Sequence, residues 1–386
     1  MNDHENCTAS GAMDFSESLK RQWTRNRLPY AVLLELTPRC NFNCVHCYLQ
    51  DHHAEDFLSK DDVIQMLDLL YDEGILFLTL TGGEVLTRKD FFLTLTGGEV
   101  LTRKDFAEIY AYAKRKGFLM EVFTNGYALT EEMIALFQQL PPLLVDISLY
   151  GSCEETYQKI TGVSGAFAKV TENCRRLKQA GVRTNLKSPI LTSDEAEQAA
   201  MQKLAAELGL PLAFSYNLSP TIDGNEKTRN YQVSRVLCLA CEFADHENKF
   251  LETTSETERQ AEMARLNQCD TVYACNVAAS NFVVDYRGQM LPCMKLRAHG
   301  VPLTRQGFAA AWQVFAAYGQ RKASEAYKCR GCSARYYCDV CPAEMELLYG
   351  DAECRPEPVC GMARIREQFY NGKISREEAL RQAVTL

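Results

Sequence analysis

Three cysteines, Cys40, Cys44 and Cys47, sit in the segment TPRCNFNCVHCY at a C-x3-C-x2-C spacing. Thiolates this close can share one metal centre. A [4Fe-4S] cluster ordinarily takes four cysteine ligands, so three on a single loop leave one iron open to a further ligand. Zinc favours two C-x-x-C or C/H pairs closing a tetrahedron; the triplet by itself leaves a zinc knuckle or buried structural thiols as alternatives. A second group runs through Cys269, Cys275 and Cys293, then Cys329-x2-Cys332-x5-Cys338-x2-Cys341, then Cys354 and Cys360. Eight of these thiols would fill two four-cysteine clusters or two zinc sites.

Composition says which compartment such thiols suit. The chain has 17 cysteines in 386 residues. Met1 to Lys20 is polar, and no stretch approaches the ~18 uninterrupted apolar residues that span a bilayer. Disulfide frameworks suit small domains with little core, whereas 46% hydrophobic content over this length supports a large core and a satellite domain. The cysteines therefore read as metal ligands in a reducing cytoplasm. The net charge of -8 comes from 42 basic and 50 acidic residues with no basic stripe for a phosphate backbone. Neither nucleic acid nor a membrane is an expected partner.

The elements that would position the cysteines are legible as well. Apolar runs at 31–36, 75–80, 119–124, 143–149, 182–187 and 212–216 alternate with amphipathic segments, the pattern of parallel strands with helices between them. Ser59 with Asp62 reads as a capping box, and Gly74, Gly117, Gly181 and Gly209 read as helix ends. Polar and glycine residues mark the strand tips: Thr-Gly-Gly-Glu at 81–84 and 96–99, Thr124-Asn125-Gly126, and Ser148-Leu149-Tyr150-Gly151. In a parallel α/β barrel the C-terminal ends of the strands carry the reactive groups. The cysteine loop directly follows the first strand and joins them there. After Pro220 the regularity ends. A charged helical stretch at about 231–267 leads into the cysteine-rich region, where 281–293 reads as a hairpin turning at Arg287-Gly288. The segment from Ile365 to Leu386 reads as helical and packs back on the body.

One repeat is exact: FLTLTGGEVLTRKDF occupies 77–91 and again 92–106. An isolated tandem duplication is not a solenoid, which needs several stacked units. The first copy would keep the loop before the strand short and push the extra residues out on the reactive face. The second copy would keep strand, glycines and following helix together and move the insertion to the opposite end of the barrel, which tolerates it better. That favours the second copy.

With these residues the chain resembles radical SAM enzymes, whose CxxxCxΦC signature is met by Cys40, Cys44, His46 and Cys47. The resemblance implies a partial (β/α)6 TIM-like barrel, with the open iron of a [4Fe-4S] cluster chelated by S-adenosylmethionine (SAM). It implies that His46 flanks adenine, that Gly82, Gly83 and Glu84 or Gly97, Gly98 and Glu99 hold the methionyl amine, and that Ser148 touches the ribose or carboxylate. The reduced cluster would cleave SAM to a 5′-deoxyadenosyl radical that abstracts hydrogen from substrate.

The C-terminal region resembles a SPASM domain, a cysteine-rich extension with a β-hairpin and short helices that carries two auxiliary [4Fe-4S] clusters. The resemblance assigns Cys269, Cys275, Cys293 and Cys341 to one cluster and Cys329, Cys332, Cys338 and Cys360 to the other. The gap between Cys338 and Cys341 is one residue shorter than the common pattern, and Cys354 competes with Cys360 for the last place. The implied division is an N-terminal segment (1–29), a barrel (30–235), linker helices (236–268), the SPASM region (269–360) and a C-terminal helix (361–386).

Of the remaining cysteines, Cys174 shares a helix face with Phe167, Val170 and Leu177 and reads as a buried hydrophobe. Cys238-x2-Cys241 has no partner pair and reads as structural, Cys153 lies beyond the fourth strand tip, and Cys7 and the pair His52-His53 suggest no site. Asp285 and Tyr286 read as turn residues.

SPASM-type enzymes include maturases of ribosomally made peptides, sulfatase maturases and enzymes of tetrapyrrole metabolism. Met294 stands where sulfatase maturases place an acid after the hairpin cysteine, which weighs against that group. The expected substrate is a precursor peptide or protein undergoing maturation, with haem or small-molecule metabolism as the alternative. About 30 residues precede the first strand, too few for a fused winged-helix leader-binding domain. A separate leader-recognition protein is therefore expected, and an electron donor such as flavodoxin or ferredoxin. A non-enzymatic iron–sulfur or zinc protein is the remote alternative.

Overall fold

Apolar and β-branched runs form six parallel strands: β1 (Ala31–Glu35), β2 (Phe77–Thr81), β3 (Leu119–Thr124), β4 (Leu144–Ser148), β5 (Thr184–Pro189) and β6 (Leu212–Ser215). The computed structural model describes residues 19–20, 22–49, 54–55, 57–81, 98–191, 195–253, 256–275 and 277–386. The helices that cross between strands are α1 (Lys60–Asp72), α2 (Phe106–Lys116), α3 (Glu131–Gln139), α4 (Glu154–Thr161), α5 (Ala166–Gln179) and α6 (Glu195–Leu208). The Ser59 capping box forms as expected, its hydroxyl accepting from the Asp62 N–H while the Asp62 carboxylate accepts from Ser59 N.

Period-2 alternation divides each strand between two environments. Val32, Leu34, Leu80, Val122, Ile147 and Leu186 pack with helix residues such as Leu67, Ile109 and Val170 in the main core. The intervening residues turn to the other, concave face. There Leu33, Val283, Leu291 and Met294 cluster with Tyr48 and Leu49. The rest of that face carries charge.

After β6 come α7 (Arg235–Thr253) and α8 (Glu256–Gln268). The predicted hairpin follows as β7 (Asn281–Val284) and β8 (Gln289–Leu291), antiparallel and shorter than the sequence suggests, with β9 (Val301–Pro302) beyond it. The turn needs Gly288, whose φ is +77°. The hairpin is not set apart from the barrel. β7 pairs in parallel with β1, Ala31 opposite Asn281, so one nine-stranded sheet runs β6-β5-β4-β3-β2-β1-β7-β8-β9. The chain ends in α9 (Phe308–Gly319), α10 (Pro342–Tyr349), α11 (Glu357–Tyr370) and α12 (Arg376–Ala383).

The repeat is used in a way that corrects the expectation that its second copy stays whole. β2 comes from the first copy, because α1 runs straight into it: Leu76 N and Phe77 N both donate to Tyr30 O. The second copy supplies Gly98, Glu99 and the 3-10 turn Val100–Thr102, and its last residue, Phe106, opens α2. Its hold is on the cysteine loop, where Glu99 N donates to Arg39 O and Arg103 Nη1 to Leu36 O. The extra residues therefore join at the C-terminal end of β2, not at the opposite end of the barrel. Gly82, Gly83, Glu84 and Gly97 lie outside the described residues, as do Cys7 and His52-His53.

The C-terminal helices pack back as expected, Met362, Ile365, Ala379 and Ala383 closing on Leu239 and Phe243 of α7. Arg366 is buried at this joint, paired with Glu242 at 2.8 Å and with Asp339 at 2.5 Å. Removing one partner from a buried ion network leaves uncompensated charge, at a cost of about 3–5 kcal/mol. Arg366→Met is expected to lose stability on that scale in urea unfolding, whereas Arg364→Met, on the exposed side of the same helix, should change it little. Deleting 82–96 regenerates a single FLTLTGGEVLTRKDF and shortens one loop, whose closure cost falls with length. The deletion variant should unfold at a temperature no lower than the parent; a clear drop would mean that the insertion is part of the folded core.

Candidate active site

The cysteine loop leaves β1 at the C-terminal end of the sheet and is tied down along its length. Asn43 N donates to Thr161 O and Val45 N to Ile160 O, both at the end of α4, and Cys47 N donates to Cys44 O. Ile222 N reaches Tyr48 O from the far side. The loop thus closes over a recess of about 400 Å³, open to solvent and lined by Cys40, Cys44, His46, Cys47, Gly98, Glu99, Asn125, Ser148, Tyr150 and Phe42. Gly98 and Glu99 of the second Gly-Gly-Glu copy, Asn125, and Ser148 with Tyr150 bring three of the strand-tip motifs to it.

Glu99 is the most connected of these residues. Its carboxylate accepts from Thr124 Oγ1 (2.6 Å), Asn125 N (2.6 Å) and Leu101 N (3.0 Å). Burial pushes its carboxyl upward, opposed by those three donors. Asn125 then extends the network, donating from Nδ2 to Asn41 Oδ1 at 2.8 Å. The turn after β3 requires Gly126: its φ is +72°, and a Cβ there would meet Ile147 Cγ2 at 3.1 Å.

The three thiols are held neutral by burial. Desolvation pushes Cys40 and Cys47 up to about 12 and raises Cys44 well above the usual thiol value, with Cys47 and Cys40 adding to the rise at Cys44. Bringing a cation among them is what would make three adjacent thiolates favourable. His46 is also buried, its imidazole pushed down to about 3 and its Nδ1 left without a hydrogen-bond partner. Its ring lies 5.4 Å from that of Tyr150. Three thiols sharing one recess, an unpartnered imidazole nitrogen and a polar strand-tip wall fit an iron–sulfur cluster with a polar ligand beside it.

The C-terminal cysteines fall into two neighbourhoods. Burial pushes Cys275 up to about 12, and Cys341 and Cys293 add to the rise; all three pack against Val272, Tyr273 and Leu296. Burial likewise raises Cys329 and Cys338, with Cys360 adding to both and Cys332 to Cys329. Cys360 therefore stands with that group, and Cys354 only follows a turn at Asp351. Cys269 has a different setting, its Sγ 3.2 Å from Thr271 Oγ1; burial raises it, but Thr271, Arg335 and Arg265 bring it below the usual value. Cys174 and Cys241 are fully buried, and Cys238 donates to Tyr216 O at 2.9 Å, in line with structural roles. Asp285 also behaves as a turn residue, accepting from Arg287 N and Gln289 N.

Sequence reasoning missed two charged pairs on the concave face. Glu35, 1% exposed on β1, pairs with Arg297, which also stands 3.8 Å from Asp285. Asp146 on β4 pairs with Lys187 on β5 at 2.5 Å. The signal was the lone acid inside the runs VLLEL and LLVDISL and the lysine that closes VRTNLK.

Residues 34–200, which hold the cysteine loop and the residues that line the recess, match the family model of the Radical SAM superfamily. The chain is 28% identical over 192 residues to the antilisterial bacteriocin subtilosin biosynthesis protein AlbA of Bacillus subtilis, covering 49% of this chain and 39% of that protein. It is 24% identical over 351 residues to an AdoMet-dependent heme synthase of Methanosarcina barkeri, covering 86% and 96%. The chain spans less than half the length of the first curated relatives it matches. Among solved structures, Streptococcus suis SuiB bound to its precursor peptide SuiA superposes with a TM-score of 0.66 at 12% identity, covering 93% of this chain and 82% of SuiB. Among the described residues no helix is long and apolar enough to cross a membrane.

The two repeat copies can be separated experimentally. Glu99→Ala should weaken SAM binding by about tenfold or more, the scale of a lost charge-assisted hydrogen bond, while Glu84→Ala leaves the dissociation constant unchanged. Equal effects in equilibrium dialysis would show that the copies exchange roles.

Proposed function

We propose that this chain is a radical SAM enzyme that modifies a ribosomally made peptide or protein, with Cys40, Cys44 and Cys47 holding the SAM-binding cluster. The observation that carries the reading is the convergence of those three half-buried thiols with Glu99, Asn125 and Ser148 on one recess. A cluster held by Cys40, Cys44 and Cys47 with SAM beside it would supply one-electron reductive cleavage of the C5′–S bond and, through it, hydrogen abstraction from substrate.

The protein's share is placement and exclusion. His46, neutral and buried, offers a flat face for adenine, and Gly98 with Glu99 receives the methionyl amine. Ser148, at the tip of β4, meets the ribose or carboxylate. Phe42 and Tyr150, packed edge to face at 6.3 Å, shield the wall from water, which a carbon radical requires.

Residues 30–235 then form the catalytic barrel and 269–360 an electron-transfer region. Cys275, Cys293 and Cys341 with Cys269, and Cys329, Cys332 and Cys338 with Cys360, would bind two auxiliary clusters, Cys269 turning from Thr271 to complete its set. Flavodoxin or ferredoxin would supply electrons in the cytoplasm, and a separate protein would recognise the leader. The likeness to SuiB and AlbA supports a peptide substrate. The match to the heme synthase over most of the chain supports a second reading, tetrapyrrole chemistry at the same site.

Anaerobic reconstitution should load about twelve irons per chain, four for each of three clusters, and dithionite with SAM should yield 5′-deoxyadenosine. Replacing Cys40, Cys44 and Cys47 together by alanine should abolish that product and remove about four irons. Zinc alone, with no SAM cleavage, would overturn the reading.

A further inference from the structure

Within the proposed reading, on which this inference rests, the concave wall beside the recess carries a feature of its own. Val122, Ile147 and Leu186 turn to the helices, so Phe123, Asp146 and Lys187 face the other way. Strand register places Lys187 opposite Ser148, a recess-lining residue, and Asp146 opposite Phe123. The side chains of Lys187 and Asp146 are 14% and 3% exposed and meet at 2.5 Å. The Lys187 ammonium also lies 4.4 Å from the Phe123 ring centroid. Asp146 Oδ2 takes the lysine and Asn185 stands beside the carboxylate, while the buried Oδ1 makes no well-formed hydrogen bond.

We propose that Asp146 and Lys187 form a two-point anchor for one extended residue of a peptide substrate, Lys187 donating to that residue's carbonyl oxygen and Asp146 Oδ1 accepting from its N–H. The pair offers one open acceptor, and an ammonium has three hydrogens, of which the contact with Asp146 Oδ2 uses one. A ligand that satisfies both must present an acceptor and a donor a short distance apart, as a peptide backbone does. An isolated carboxylate fits poorly. It supplies acceptors only, and approaching Lys187 brings it against the Asp146 charge. The anchor therefore favours an amide-bearing substrate over the propionate groups of a tetrapyrrole. Phe123 holds the lysine stem in place and gives the adjoining substrate side chain an apolar surface.

The two ligand classes respond oppositely to Asp146→Asn. On anaerobically reconstituted protein, saturation-transfer NMR would compare N-acetyl-L-alanine N′-methylamide with the methylamide of O-acetyl-L-lactic acid, an ester in which oxygen replaces the alanine N–H. The native protein should bind the amide about tenfold more tightly, the factor for one hydrogen bond of ~1.4 kcal/mol. Asp146→Asn should erase that preference, and Lys187→Met, which keeps the apolar stem, should weaken both probes. Should Asp146→Asn fail to fold, Lys187→Met carries the test alone, and unchanged affinity there overturns the proposal. Failure of the native protein to bind the amide, or a preference that persists in Asp146→Asn, would also overturn it. Coproporphyrin III binding that tightens in Asp146→Asn would overturn it in favour of a carboxylate ligand. 5′-Deoxyadenosine formation by the same preparation separates the outcomes. Cleavage without amide preference removes the anchor alone, and absence of cleavage removes the radical reading itself.

Discussion

The site depends on one buried carboxylate. Glu99 gathers the hydroxyl of Thr124 and the backbone N–H groups of Asn125 and Leu101, while its own N–H binds Arg39. Those groups belong to the tip of β3, the segment leading to α2 and the start of the cysteine loop. A buried carboxylate without such donors is costly, so the three segments are held in a single arrangement. The thiols owe their position to it, since Asn125 passes the hold on to Asn41 within their loop.

The same rule organises the concave face. Charge there is tolerated where it is paired, and each pair joins elements far apart in sequence. Glu35 and Arg297 bind β1 to the segment after the hairpin, beside the parallel pairing of β1 with β7. The C-terminal region is therefore attached to the barrel by backbone hydrogen bonds and by an ion pair together. Asp146 and Lys187 do the corresponding work at the other side of the face, with an acceptor to spare for substrate.

Around the C-terminal cysteines regular structure is sparse, and side chains replace it. Arg335 donates to the carbonyls of Leu266, Cys269 and Thr271. Arg366 grips Asp339, which lies between Cys338 and Cys341. Long cationic side chains thus set the shape of thiol-bearing loops that β-sheet and helix do not reach.

The alternation of apolar and amphipathic runs determined six parallel strands and their helices, because burial on one face repeats with a fixed period in each element. The three-cysteine loop and the polar strand tips were equally legible, since their chemistry is local and their place follows from strand direction. Tertiary structure decided what depends on residues distant in the chain. Two identical copies of FLTLTGGEVLTRKDF have identical local preferences, so only the contacts with Tyr30, Leu36 and Arg39 settle that one gives the strand and the other Glu99. Likewise, nothing local to Asn281–Val284 says that it lies beside β1. A lone Glu35, Asp146 or Lys187 reads as an exception within its strand until the fold brings its partner across the concave face.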